Sequence, residues 1–256
     1  MCFETTARPP QPPRTGHLAG SARLTLRSDV DFAATLARTT AENAPGVVIL
    51  PDIRGLHPYY EKLAEAFADA GVHALAIDLY AHTAGAEHRG DDFEWQPHRA
   101  ATRDATIAED VRAAIAEVQR RGASRVYVLG FCFGGRAAYM QGSQPGIAGV
   151  VGFYGGPTRP GNGGGSSPVE EARAGRLTAP VLAIYGGADQ NITVEHAEEF
   201  AAALDQAGVL QETVVYDGAP HSFFDRKMDE HEQACADAWH RVLRFMGVPV
   251  RTPSAA

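Results

Sequence analysis

Cysteine is scarce in this chain: Cys2, Cys132 and Cys235 are the three among 256 residues. That is too few for a disulfide framework and points to a reducing, cytoplasmic setting. Basic excess is absent too. The formal net charge is −8, which argues against a general nucleic-acid binder, because neutralising phosphates needs a basic face. No apolar run approaches a membrane-spanning length, so no membrane partner is expected. No charged segment followed by an apolar one opens the chain, so no secretory signal is read. The dinucleotide fingerprint G-x-G-x-x-G and a P-loop Lys-Ser/Thr are both missing. No internal repeat is visible.

What is present is an apolar content of 45%, enough for a substantial core. Residues 1–16, with Pro9-Pro10 and Pro12-Pro13, and residues 251–256 read as disordered tails. Between them a single α/β domain over 17–250 is expected. Short apolar runs predict strands at 46–50, 72–77, 126–129, 149–153, 181–185 and 212–216. Amphipathic spacing predicts helices at 57–70, 102–121, 134–141, 194–207 and 228–246. Continuous apolar strands between amphipathic helices mean a mostly parallel central sheet with helices on both faces. Residues 22–40 alternate weakly and are expected to supply antiparallel edge strands. Two irregular segments, 81–97 and the glycine-rich 157–168, leave strand C-terminal ends, where open α/β sheets place ligands. The second reads as a mobile loop.

The most informative segment is Gly130-Phe-Cys-Phe-Gly-Gly135, directly after Val126-Tyr127-Val128-Leu129. It reads as a nucleophile elbow, G-x-C-x-G, with cysteine where serine usually sits. Such an elbow is a sharp strand-to-helix turn that exposes its central side chain. Gly130 and Gly134 flank it because a Cβ there would clash with the neighbouring strand and helix. The turn puts Cys132 at a helix N-terminus, whose positive end stabilises a thiolate.

An elbow nucleophile needs a base, and the base needs an orienting acid, in the chain order nucleophile, acid, histidine. Tyr185-Gly-Gly-Ala-Asp189 and Gly218-Ala-Pro-His221 each follow a predicted strand. The catalytic candidates are therefore Cys132, Asp189 and His221. His221 would take the thiol proton and later protonate the leaving group. Asp189 would fix its tautomer, and Cys132 would form a thioester acyl-enzyme. The backbone N–H groups of Phe133 and Ile53 are the expected oxyanion hole.

Taken together, these residues resemble the dienelactone hydrolase family of α/β-hydrolases. The matching stretches are Gly130–Gly135, Gly186-Gly-Ala-Asp189, His221-Ser222-Phe223, Pro51-Asp-Ile-Arg-Gly-Leu56 and Asp78-Leu-Tyr80. The resemblance covers roughly residues 20–247 and implies the α/β-hydrolase fold. It also implies hydrolysis of a small, often carboxylate-bearing lactone or ester, without cofactor or metal.

Family members place a glutamate near the resting cysteine as a gate. The matching position is Asp52, one methylene shorter, which is either that gate or a loop-turn residue. Well-known members bind the substrate carboxylate with arginines, one of them a few residues after the catalytic histidine. Here that position is Asp225, with Arg226 beside it. Arg54, Arg89, Arg99 and Arg136 are the other arginine candidates.

Tyr80, Phe93, Trp95, Tyr154 and Phe223 are candidates to line an apolar pocket. Cys235 and Trp239 share the inner face of the last helix with Val242 and Met246. His57 is either a helix N-terminal residue or a pocket neighbour. The expected partner is a small lactone or ester, and the expected assembly a monomer or homodimer. A broader carboxylesterase or thioesterase, or a redox-sensing thiol protein on a hydrolase scaffold, are the competing readings.

Overall fold

Apolar runs too short for helices become the strands of one eight-stranded sheet. The computed structural model describes residues 5–250. The strands are β1 Leu18–Arg27, β2 Asp31–Thr39, β3 Gly46–Leu50, β4 His73–Ile77, β5 Val126–Phe131, β6 Ile147–Phe153, β7 Val181–Gly186 and β8 Gln211–Tyr216. They lie in the order β1-β2-β4-β3-β5-β6-β7-β8. The β1–β2 and β2–β4 pairs are antiparallel and the rest parallel. With its helices this is the mostly parallel, helix-flanked sheet that the alternating pattern implied and the α/β-hydrolase arrangement that the family resemblance implied.

The helices are α1 Pro58–Asp69, α2 Ala81–Ala84, α3 Trp95–Ala101, α4 Asp104–Arg120, α5 Phe133–Met140, α6 Pro168–Arg173, α7 Val194–Gln206 and α8 Glu232–Phe245. Strand residues alternate between the two faces of a sheet. Accordingly Val47 and Ile49 of β3 pack with α1 and α8, while Val48 and Leu50 pack with α4 to α7. In α8, Cys235, Ala238, Trp239, Val242 and Leu243 recur at helical spacing and are all buried, which fits the inner face read from sequence.

Several expectations shift. The closing helix starts at Glu232, because a short 3-10 turn over Met228–Glu230 breaks the chain at His231. Segment 81–97 holds α2 and the start of α3. Helix α6 was not anticipated, although Ser167-Pro-Val-Glu170 carries its signal. Ser167 and Glu170 form a reciprocal capping box with proline at the first helical position. The glycine-rich loop before it is tied down by Asn162, which donates to the carbonyls of Arg99 and Thr102.

The N-terminal segment also departs from the disordered tail that composition suggested. Residues 5–16 lie along α1 and α8. Lys62 donates to the carbonyls of Thr5 and Ala7, Trp239 Nε1 donates to that of Pro10 at 3.0 Å, and Gly16 N donates to that of Asp69. A proline-rich stretch has few N–H groups of its own but a full set of carbonyl acceptors, and donors on the body use them. Residues 251–256, read as the second tail, lie outside the described residues. Among the described residues no helix is long and apolar enough to cross a membrane.

Candidate active site

The site gathers at the C-terminal ends of the parallel strands. Strand β5 runs into Cys132, which caps α5 with φ 53° and ψ −108°. A Cβ on Gly130 would collide with the Gly134 carbonyl, and one on Gly134 with the carbonyls of Leu50 and Pro51. Glycine is therefore required at both positions for the turn to close against β3. Among the described residues four non-glycine residues have positive φ: Asn43, Cys132, Tyr154 and Ser222. Three of the four surround this site, the pattern expected where strain holds a functional geometry.

His221 follows β8 and Asp189 follows β7, as the chain order required. His221 Nδ1 lies 2.5 Å from Asp189 Oδ2, and His221 lines the same cavity as Cys132. The other Asp189 oxygen accepts from the backbone N–H groups of Asn191 and Ile192 at 2.8 and 3.1 Å. Burial works to raise the Asp189 pKa, but the bond and charge of His221 and the two amides hold it below the usual carboxylate range. Burial works to lower that of His221, but its bond to Asp189, with Cys132 nearby, raises it to about 10. Asp189 thus stabilises the imidazolium that forms when His221 takes up a proton.

A cavity of about 530 Å³ opens on Cys132 and His221. Ile53 and Phe133 also line it. Backbone accounting singles out Ile53 within its loop. The N–H of Asp52 donates to Tyr60 Oη, that of Arg54 to Asp52 Oδ1, that of Gly55 to the Asp52 carbonyl and that of Leu56 to Asp78 Oδ1. The Ile53 N–H has no such acceptor among the described residues, and Ile53 lines the cavity. Phe133 N is the first amide of α5, one of the donors a helix leaves unused at its start.

The remaining candidates divide. Trp95 lines the cavity. Tyr80 is buried, and its hydroxyl donates to the Ile53 carbonyl. Tyr154 is buried with its ring 4.9 Å from that of His221, and Phe223 packs between Tyr154 and Tyr216. Phe93 packs on Tyr80 under the Arg89 guanidinium. None of these four is in the cavity wall; their bulk is absorbed by core contacts behind it.

Asp52 is likewise not in that wall. Arg54 Nε lies 2.9 and 3.0 Å from its two oxygens, and Nη2 lies 2.7 Å from Oδ2. This locks the gate candidate onto its neighbour two residues along. Arg54 is buried in that pairing and does not reach the cavity. Arg89 is buried against Asp78. Arg136 does line the cavity, but its fork is taken by Asp104 at 2.7 and 3.0 Å. Arg226, beside Asp225, reaches the wall and donates to Ser222 Oγ. Arg99 is different. It lines the cavity with its guanidinium 5.5 Å from the Phe133 ring centre, and its buried Nε has no hydrogen-bond partner among the described residues.

His57 turns out to be the N-cap of α1, with Nδ1 accepting from Tyr59 N and Nε2 2.8 Å from Asp91. Arg159, Asn162 and Ile192 of the wall were not anticipated. Their one sequence signal was position, on segments leaving strand C-terminal ends. Among the described residues no group of three or more His, Cys, Asp or Glu side chains is arranged to hold a metal ion.

Comparison with known proteins bears on this geometry. The sequence profile of the dienelactone hydrolase family matches residues 32–249. A protein of Salmonella typhimurium provisionally named a carboxymethylenebutenolidase is 31% identical over 227 residues, covering 84% of this chain and 82% of that one. A Bradyrhizobium protein provisionally named a 2-oxo-3-(5-oxofuran-2-ylidene)propanoate lactonase is 30% identical over 212 residues, covering 79% and 83%. Among solved structures, one from Klebsiella pneumoniae, provisionally named a dienelactone hydrolase, superposes with a TM-score of 0.78 at 26% identity. It covers 89% of this chain and 98% of its own.

Proposed function

The chain belongs to the dienelactone hydrolase family, and from that premise we propose that it opens a small anionic lactone or ester through Cys132, His221 and Asp189. It is a hydrolase acting on ester or lactone bonds. What supports the mechanism is the 2.5 Å contact between Asp189 Oδ2 and His221 Nδ1, with His221 and Cys132 lining the same cavity.

His221 accepts the thiol proton, and Cys132 Sγ attacks the carbonyl carbon. The carbonyl electron pair moves to oxygen, where the N–H groups of Ile53 and Phe133 receive it. The pair returns, the C–O bond breaks, and His221 delivers its proton to the leaving alkoxide. In a lactone that alcohol stays tethered to the acyl group. Water, deprotonated by His221, then adds to the thioester through a second tetrahedral oxyanion. Cys132 leaves as thiolate, recovers its proton, and a carboxylic acid is released.

The cavity volume suits a small molecule. Among the described residues the Nε of Arg99 has no hydrogen-bond partner while its guanidinium lines the cavity, which favours a substrate carrying its own carboxylate. The redox reading has little to draw on. Burial, aided by Asp225, Asp229 and Glu232, pushes the Cys235 thiol up to about 12, which leaves it a poor resolving partner. A cytoplasmic setting, a monomer or homodimer, and one domain over 17–250 complete the proposal.

The test is hydrolysis of a dienelactone, a neutral p-nitrophenyl ester and an acyl thioester by wild type and Cys132→Ala. Turnover of the dienelactone that disappears in the variant supports the reading. Turnover that survives the substitution removes Cys132 from the mechanism.

A further inference from the structure

Sequence reading placed Tyr80 among the residues that could touch substrate. The structure gives it another task. Its hydroxyl donates to the Ile53 carbonyl at 2.8 Å. Its ring stacks on that of Phe133, with centres 6.3 Å apart and planes 11° from parallel. One side chain therefore touches both residues whose backbone N–H groups make up the proposed oxyanion hole. These residues lie 80 positions apart in sequence, one in the loop after β3 and the other at the first position of α5.

Tyr80 is itself held. Asp78 Oδ2 accepts from Tyr80 N at 3.0 Å and from Arg89 Nη2 at 2.8 Å. The other Asp78 oxygen accepts from Leu56 N at 3.0 Å, in the same loop as Ile53. The segment Asp78-Leu-Tyr80 thus grips the 51–56 loop at two points, through a carboxylate and a phenol. The Phe93 ring also packs on Tyr80, with centres 5.6 Å apart.

We infer that Tyr80 is a positioning residue that sets the two halves of the oxyanion hole relative to each other. The inference rests on the acyl-enzyme reading and adds a residue that does not touch the substrate. The physical reason is that an oxyanion hole works by preorganisation: its donors must already point at the oxygen when charge develops. Ile53 sits in a loop, where nothing periodic restrains its backbone. A bond to its own carbonyl restrains the residue directly, while the stacked ring keeps Phe133 from moving away from it. Burial, with Asp52 and Asp78 nearby, pushes the phenol above its ordinary range, so it remains a protonated donor throughout the working pH.

The experiment compares wild type, Cys132→Ala, Tyr80→Phe and Tyr139→Phe on a p-nitrophenyl ester. Tyr80→Phe keeps the ring and removes the hydroxyl. Tyr139→Phe removes a buried hydroxyl that donates to the Gly152 carbonyl outside the cavity wall, and controls for the general loss of a buried hydrogen bond. Tyr80→Phe is expected to lower kcat about 10-fold with KM unchanged, because ground-state binding does not use the hole. Tyr139→Phe is expected to leave kcat unchanged.

A second measurement uses a small aldehyde, which adds to Cys132 Sγ as its carbonyl pair moves to oxygen, giving a tetrahedral adduct. Tyr80→Phe should weaken aldehyde binding by about the factor lost in kcat. A Tyr80→Phe enzyme with wild-type kcat, or an equal loss in Tyr139→Phe, overturns the positioning role while leaving the acyl-enzyme reading intact. Full activity in Cys132→Ala overturns the acyl-enzyme reading and the role of Tyr80 with it.

Discussion

Asp225 Oδ2 lies 3.7 Å from Arg54 Nη2, with both side chains buried. The pairing joins the loop that carries Ile53 to the loop that carries His221. It also accounts for a departure noted in the sequence. Four residues after His221, where the family resemblance implies a substrate-binding arginine, this chain holds a carboxylate turned into the protein. The cation it meets comes from the 51–56 loop.

That buried carboxylate yields a stability prediction. Burial, with Asp52 close by, raises the Asp225 pKa from 3.8 to about 6, although Arg54 and Arg226 pull it down. A carboxyl whose pKa rises on folding costs stability as pH climbs from 3.8 to about 6, and the cost persists above. Asp225→Asn should therefore be more favourable to stability, relative to wild type, at pH 8 than at pH 4. Thermal melts at the two pH values check this. A variant that loses stability relative to wild type between pH 4 and pH 8 would mean that pairing with Arg54 outweighs the burial.

The His221–Asp189 pair has the opposite sign. The His221 pKa is raised from 6.5 to about 10, so its share of stability is complete below 6.5 and is lost as pH rises through about 10. Asp189 is held below 3.8, so its share is complete above 3.8 and lost at lower pH. The difference in Tm between wild type and Asp189→Asn should be widest between 3.8 and 6.5 and should shrink towards pH 10. The same variant should lose about 10²- to 10⁴-fold in kcat with its fold intact, because the imidazole loses its orienting acceptor. A Tm difference that widens with alkalinity would contradict the imidazolium assignment.

Arg99 should act on KM rather than on chemistry. Its guanidinium lines the cavity and its Nε is unpartnered among the described residues. Arg99→Gln is expected to raise KM for a carboxylate-bearing lactone by roughly 10-fold or more, the worth of a charge-assisted hydrogen bond. KM for a neutral p-nitrophenyl ester should not change. Equal effects on both substrates would place the substrate anion elsewhere in the cavity.

Much of the site was legible before any coordinates. The elbow could be read because Gly130 and Gly134 answer a steric demand made by their immediate neighbours. Asp189 and His221 could be read because each follows an apolar run that must be a strand, and loops at strand ends meet at one edge of a parallel sheet. Helix α6 carries a signal too, its capping box, but glycines dominate the segment before it and mask the helical pattern.

The arginines were a different matter. Arg54, Arg89, Arg99, Arg136 and Arg226 are chemically alike in sequence, and each has a long side chain that can turn several ways. Their roles depend on which carboxylate lies within reach once the chain has folded. Asp52 and Asp225 engage Arg54, Asp78 takes Arg89, and Asp104 takes Arg136. Among the described residues Arg99 has no ion-pair partner, and it lines the cavity with Nε unpartnered. The tyrosines followed the same logic, since a phenol near a strand end suits a substrate pocket or a core equally well. So the sequence alone determined the sheet, the elbow and the order of the three candidate catalytic groups, because local sterics and apolar periodicity act over a few residues. Only the tertiary structure decided which cation faces the cavity and that Tyr80 spans Ile53 and Phe133, because those contacts join segments tens of residues apart.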